Sequence, residues 1–97
     1  MYIIRNTFKA KPGMASKLAA MFKDVMDKRG IKVRIMTDLV GPYNTVVMEQ
    51  ETPSLAEFEK LMNEYADGGK DGKEMRDRMK GYTDMYAEGT REIYRVM

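Results

Sequence analysis

The chain has 97 residues, with no histidine, cysteine or tryptophan and eleven methionines. Those absences exclude Ser-His-Asp and Cys-His nucleophile systems, an imidazole general base, thiolate metal sites and a histidine-held haem. At 43% hydrophobic and 33% charged residues the composition suits a single globular domain, 1–97, and no apolar run approaches the about 20 residues of a membrane span.

The net charge of +2 hides an asymmetry. Residues 1–36 carry nine lysines and arginines against Asp24 and Asp27, and residues 37–97 carry eight against thirteen acids. A basic end of this kind occurs in nucleic-acid proteins; it equally suits two complementary halves that meet within the fold or across a dimer. The start, Met1 to Asn6, lacks the charged-then-apolar layout of a secretory leader, and the absence of cysteine permits a reducing compartment. A cytoplasmic protein is expected.

Residues 2–10 alternate, with Tyr2, Ile4, Asn6 and Phe8 on one side and Ile3, Arg5, Thr7 and Lys9 on the other, which predicts a strand that Pro12-Gly13 ends. Ala15, Leu18, Ala19, Phe22, Val25 and Met26 recur at helical spacing and predict a helix from 14 to 29, with Gly30 as its left-handed cap. Ile31 to Leu39 alternates again and, across the turn Gly41-Pro42-Tyr43-Asn44, predicts a hairpin with a third strand, 45–51. Ser54-Leu55-Ala56-Glu57 is a capping box for a second helix whose stripe is Leu55, Phe58, Leu61, Met62 and Tyr65. Asp67 to Gly72, with three glycines, breaks that helix. Met75, Met79, Tyr82 and Tyr86 resume a helical stripe, Gly89 ends it, and Thr90 to Met97 reads as a closing strand.

The order βαββαβ is the ferredoxin-like arrangement of the α+β class, a four-stranded antiparallel sheet with helices on one face. The opposite face, with Ile3, Arg5, Thr7, Val33, Ile35, Val47 and Glu49, is too apolar for water alone. Pairing two such faces about a twofold axis would bury them, so the expected partner is a second copy of the chain.

Several functions of this fold are excluded by residue type. Base stacking needs aromatics on the central strands, whereas the third strand is Thr45-Val46-Val47-Met48-Glu49-Gln50-Glu51, so no nucleic-acid partner is expected. Phosphohistidine chemistry and a Cys-x-x-Cys copper site lack their residues, and no glycine-rich phosphate loop follows the first strand. Asp67, Gly69, Asp71 and Gly72 echo the start of a calcium loop, but its last ligand position would be Arg78, so a solvated hinge and no metal are expected. The methionines read mainly as core filler, with a pliable pocket wall as the alternative. Asn6 stands out as an amide within an apolar strand face. It must find partners, as a structural tie to backbone or water or as a pocket group that orients a ligand oxygen or O₂. Tyr65, Tyr82, Tyr86 and Tyr94 each combine core area with a hydroxyl able to reach a polar edge.

Met1 to Gly13, with Arg5, Phe8 and Pro12-Gly13, resembles the opening of NIPSNAP-type domains. Gly41-Pro42-Tyr43-Asn44-Thr45-Val46-Val47 followed by Ser54-Leu55-Ala56-Glu57-Phe58 is similar to the hairpin and helix start of the same family. The resemblance covers about the first two-thirds of the chain. It implies the dimeric α+β-barrel superfamily, in which two ferredoxin-like protomers pack sheet against sheet, and which includes antibiotic-biosynthesis-monooxygenase-like and haem-degrading enzymes. In those enzymes a first-strand asparagine helps to form a pocket between sheet and helices, and Asn6 occupies the matching place. The accompanying tryptophan and histidine of the haem-degrading members are absent here, and Glu49-Gln50-Glu51 replaces a common third-strand aromatic, so haem is not expected. The resemblance implies small-molecule binding or cofactor-free oxidation of a small aromatic substrate. Asn6, Tyr65 and Tyr82 are the candidate catalytic residues, and Phe8, Phe22, Phe58 and Tyr94 the candidate ligand contacts. The alternative is a non-catalytic dimeric interaction module, which expects no open cavity of the few hundred cubic ångströms that ligands need.

Overall fold

In the computed structural model, which describes residues 1–66 and 70–97, the chain runs β1 (Tyr2–Ala10), α1 (Ala15–Lys28), β2 (Arg34–Thr37), β3 (Thr45–Thr52), α2 (Leu55–Ala66), α3 (Lys70–Arg78), a 3₁₀ turn (Tyr82–Asp84) and β4 (Tyr86–Arg95). The strands form one antiparallel sheet in the order β2-β3-β1-β4. This is the expected α+β, ferredoxin-like topology. Among the described residues no helix is long and apolar enough to cross a membrane.

Register decides which side chains meet. Asn6 lies opposite Met48 of β3 and Arg91 of β4, and Phe8 lies opposite Val46 and Gly89. The even-numbered residues of β1 therefore face the helices. Ala10, Val46 and Met48 pack there against Leu18, Phe22, Val25 and Met26 of α1 and against Met75 and Met79 of α3. The stripe read from the sequence is thus the buried face of α1, and Gly30 takes the left-handed conformation beyond it, at φ +69.

The hairpin turn is held by Asp38, whose carboxylate accepts from the backbone N–H of Tyr43 at 2.7 Å and of Thr45 at 2.9 Å. Those bonds keep Tyr43 and Asn44 at positive φ, 70 and 56, a conformation that costs most side chains about 1 kcal/mol or more. Ser54 performs its half of the capping box, its hydroxyl accepting from the Glu57 N–H at 3.2 Å.

Four expectations need correction. The second strand spans only Arg34–Thr37 rather than 31–39. Ile35 pairs with Met48, so it faces the helices and not the open face, and Val33 also packs against the core. Tyr86 is not on a helix: α3 stops at Arg78, Gly81 turns at φ +86, and Tyr86 opens β4. Gly89 lies within β4 instead of ending a helix. A Cβ there would sit 3.1 Å from Cδ1 of Phe8, so its bare backbone makes room for that ring. The expected helix break and calcium-loop echo fall partly on residues 67–69, outside the described residues.

Candidate ligand cavity

Between the helices and the sheet lies a cavity of about 110 Å³. Its floor is Asn6, Phe8, Met48 and Gln50 of the sheet, and its walls include Phe22 and Met26 of α1, Phe58, Met62 and Tyr65 of α2, Met75 and Met79 of α3, and Tyr82. Each of these elements contributes a side chain because its apolar face already points at the sheet. A larger depression of about 450 Å³ runs past Lys32, Arg34, Glu49 and Glu51. It has no aromatic wall, and its charged lining suits water better than an apolar ligand.

The rings form a closed set. Phe8 packs on Phe22 and on Tyr86 with centroids 4.9 Å apart in both pairs, Phe22 meets Tyr82 at 6.1 Å, and Tyr82 meets Tyr86 at 5.8 Å. The Phe8–Tyr86 and Phe22–Tyr82 pairs are edge-to-face, the arrangement the ring quadrupoles favour. Five methionines, Met26, Met48, Met62, Met75 and Met79, complete the wall, and four of them, Met26, Met48, Met75 and Met79, are at the same time part of the buried core, as core filler would be.

Polar groups are few and their bonding is informative. Asn6 is only 6% exposed. Its Oδ1 accepts from Nε of Arg91 at 2.8 Å, which leaves Nδ2 with no hydrogen-bond partner among the described residues. The Arg91 guanidinium also lies over the Phe58 ring, 5.4 Å from its centroid. Burial pushes the Tyr82 hydroxyl pKa up and neighbouring Tyr65 adds to this, while Tyr86 and Arg91 oppose it. Burial likewise raises Tyr86. At neutral pH Tyr82 therefore keeps its proton and serves as a donor, not a base.

Of the site residues expected from the sequence, Asn6, Phe8, Phe22, Phe58, Tyr65 and Tyr82 all line this one cavity. Tyr94 does not. It pairs with Ile3 on the opposite face, where its hydroxyl donates to Glu92 and Arg5 lies 5.4 Å from its ring centroid. Arg91 was missed. The signal was present in the parity of β4: once Ile93 pairs with Ile4, Arg91 must share the helix-side face with it.

On the open face Glu49 is 8% exposed beneath two arginines, with Nη2 of Arg34 at 2.9 Å and Nε of Arg5 at 2.6 Å. Hydrogen bonds from Arg34 and then Arg5 hold its carboxyl below the usual carboxylate range. Ile3, Val47, Met36 and Tyr94 surround that ion cluster in register.

An antiparallel four-stranded sheet with helices on one face and a ring-lined cavity between the layers defines the class as α+β, ferredoxin-like. Solved structures of the same fold follow the expected resemblance. A NIPSNAP family protein from Agrobacterium tumefaciens superposes with a TM-score of 0.76 at 10% identity, over 99% of this chain and 92% of that one. A NIPSNAP domain protein from Burkholderia xenovorans gives 0.73 at 12% identity, over 100% and 95% of the two chains. An antibiotic biosynthesis monooxygenase gives 0.70 at 12% identity, over 100% and 99%. No family model matches the sequence, and no curated protein matches it.

Proposed function

We propose that the chain binds a small aromatic compound in this cavity and that two copies associate through the open face of the sheet. The observation that carries the first part is Asn6. Its Nδ2 makes no hydrogen bond among the described residues and is not sealed from solvent, so within a cavity of rings and methionines it is a donor open to an acceptor on a ligand. The alternative, a non-catalytic dimeric module, expects no open cavity of a few hundred cubic ångströms; at about 110 Å³ the cavity is smaller than that, and the aromatic-binding reading rests on its lining, not on its size.

The reaction this site suits best is oxidation of an electron-rich phenol by O₂ without a cofactor. One oxygen atom would enter the ring as the second quinone carbonyl and the other would leave as water, all four electrons coming from the phenol. The protein would hold the ring, and Asn6 Nδ2 with the Tyr82 hydroxyl would donate to the oxygen on which charge develops. A monooxygenase name among proteins of the same fold supports this reading.

Asn6→Leu separates function from folding. Arg91 is exposed and can return to water, so the variant should be as stable as the parent, while conversion of the phenol to its quinone falls by about 100-fold. Unchanged turnover would remove Asn6 from the chemistry.

The dimer rests on the open sheet face and on the hairpin tip beside it. Ile3, Met36, Val47 and Tyr94 share the face, and Leu39, Val40 and Tyr43 at the tip are 98%, 94% and 80% exposed. Apolar side chains left this open favour association. Light scattering at micromolar concentration should give the mass of two chains; the mass of one overturns this part.

A further inference from the structure

Arg91 carries a positive charge to the edge of an apolar, aromatic cavity and finds no carboxylate there. Its interactions among the described residues are with neutral groups: the amide of Asn6, the face of Phe58 and, through its charge, the Tyr82 hydroxyl. No acid lies within ion-pair distance of it among those residues, although Glu88 and Glu92 stand on the same strand. Glu92 is engaged instead by the Tyr94 hydroxyl on the far side of the sheet.

The orientation of the guanidinium is set by the first two of those contacts. Asn6 Oδ1 takes Nε, and the Phe58 ring flanks the plane. The edge formed by Nη1 and Nη2 makes no hydrogen bond among the described residues. Two parallel N–H donors on a planar, fixed edge match the two oxygens of a carboxylate, a bidentate pairing stronger than either bond alone.

The cavity sets the other half of the ligand. A space of about 150 Å³ takes a benzene ring, so about 110 Å³ walled by methionines accommodates one ring with modest movement of the thioethers and no second ring. From the cavity and the unpaired edge of Arg91 we infer that the ligand is a single-ring aromatic carboxylate, its ring among Phe22, Phe58 and Tyr82 and its carboxylate on Nη1 and Nη2 of Arg91. This rests on the proposal that the cavity binds an aromatic compound, and adds the charge that the compound carries.

Benzoate and its neutral isostere benzamide distinguish the two ideas. Titrated at pH 7 into the full chain and followed by calorimetry, benzoate should bind at least tenfold tighter than benzamide. Arg91→Gln should erase that preference, benzoate affinity falling at least tenfold more than benzamide affinity. Arg91→Lys, which keeps the charge but lacks the fork, should retain only part of it. Circular dichroism on both variants shows that they remain folded, as expected for a residue exposed at the rim. Equal affinities in the parent, or a preference that survives Arg91→Gln, overturns the carboxylate inference and leaves the aromatic cavity standing. Binding of neither compound overturns both.

Discussion

Gly72→Ala should destabilise the protein by about 2–3 kcal/mol, the opposite sign to the effect of the same change in an ordinary helix. Within a helix, alanine is favoured over glycine by about 1 kcal/mol. Here a Cβ on Gly72 would stand 2.1 Å from the backbone oxygen of Glu64, so α3 must move away from α2. The obstacle is main chain near the end of a helix, and no side-chain rotation relieves it.

The movement breaks a second contact. Nη1 of Arg76 donates to the carbonyls of Tyr65 and Ala66 at 2.9 and 3.1 Å, satisfying acceptors that the end of α2 leaves open. The same displacement shifts Met75 and Met79, which wall the cavity, so ligand affinity should fall with stability. Urea unfolding of Gly72→Ala beside Lys73→Ala tests this. Lys73 is exposed on the same helix, and its replacement should stay within about 0.5 kcal/mol of the parent. Equal stabilities for the two variants would show that α3 is not locked to α2 by this approach.

How the site could be read from the chain follows from the kind of signal each residue carries. Asn6 was legible because the first strand alternates cleanly, and an amide in phase with Ile4 and Phe8 has to face the helices. Phe22, Phe58 and Tyr65 were legible because their helices are amphipathic. Tyr86 was not, since Met75, Met79, Tyr82 and Tyr86 recur at spacings of four, three and four, which a helix satisfies well. The turn at Gly81 resets the phase, and only the pairing of Ala10 with Tyr86 shows it.

Ile35 and Arg91 failed for a related reason. Alternation shows that two faces exist without saying which is buried, and on an outer strand the partner strand decides. Met48 places Ile35, and Asn6 places Arg91. A charged residue on an outer strand reads as solvent-facing until the amide across from it is known. Tyr94, one of the expected ligand contacts, has the parity of Glu92 and so lies on the far side of the sheet.

Phe22→Ala carries the largest expected cost, about 3–5 kcal/mol of a stability that for a domain of this size is about 5–15 kcal/mol. Phe22 is 1% exposed and packs on both Phe8 and Tyr82, so its removal costs transfer energy and two ring contacts together. The melting temperature should drop by about 15–30 °C. The vacated volume would be continuous with the existing cavity, because Phe22 is already part of its wall. An aromatic compound too large for the parent should therefore bind the variant and return part of the lost stability, about 2.7 kcal/mol at 100 times its dissociation constant. Naphthalene-sized carboxylates in a thermal-shift titration provide the measurement: they should raise the melting temperature of Phe22→Ala and leave the parent unchanged. A variant that loses stability but is not rescued would place Phe22 in the core alone and not beside a ligand.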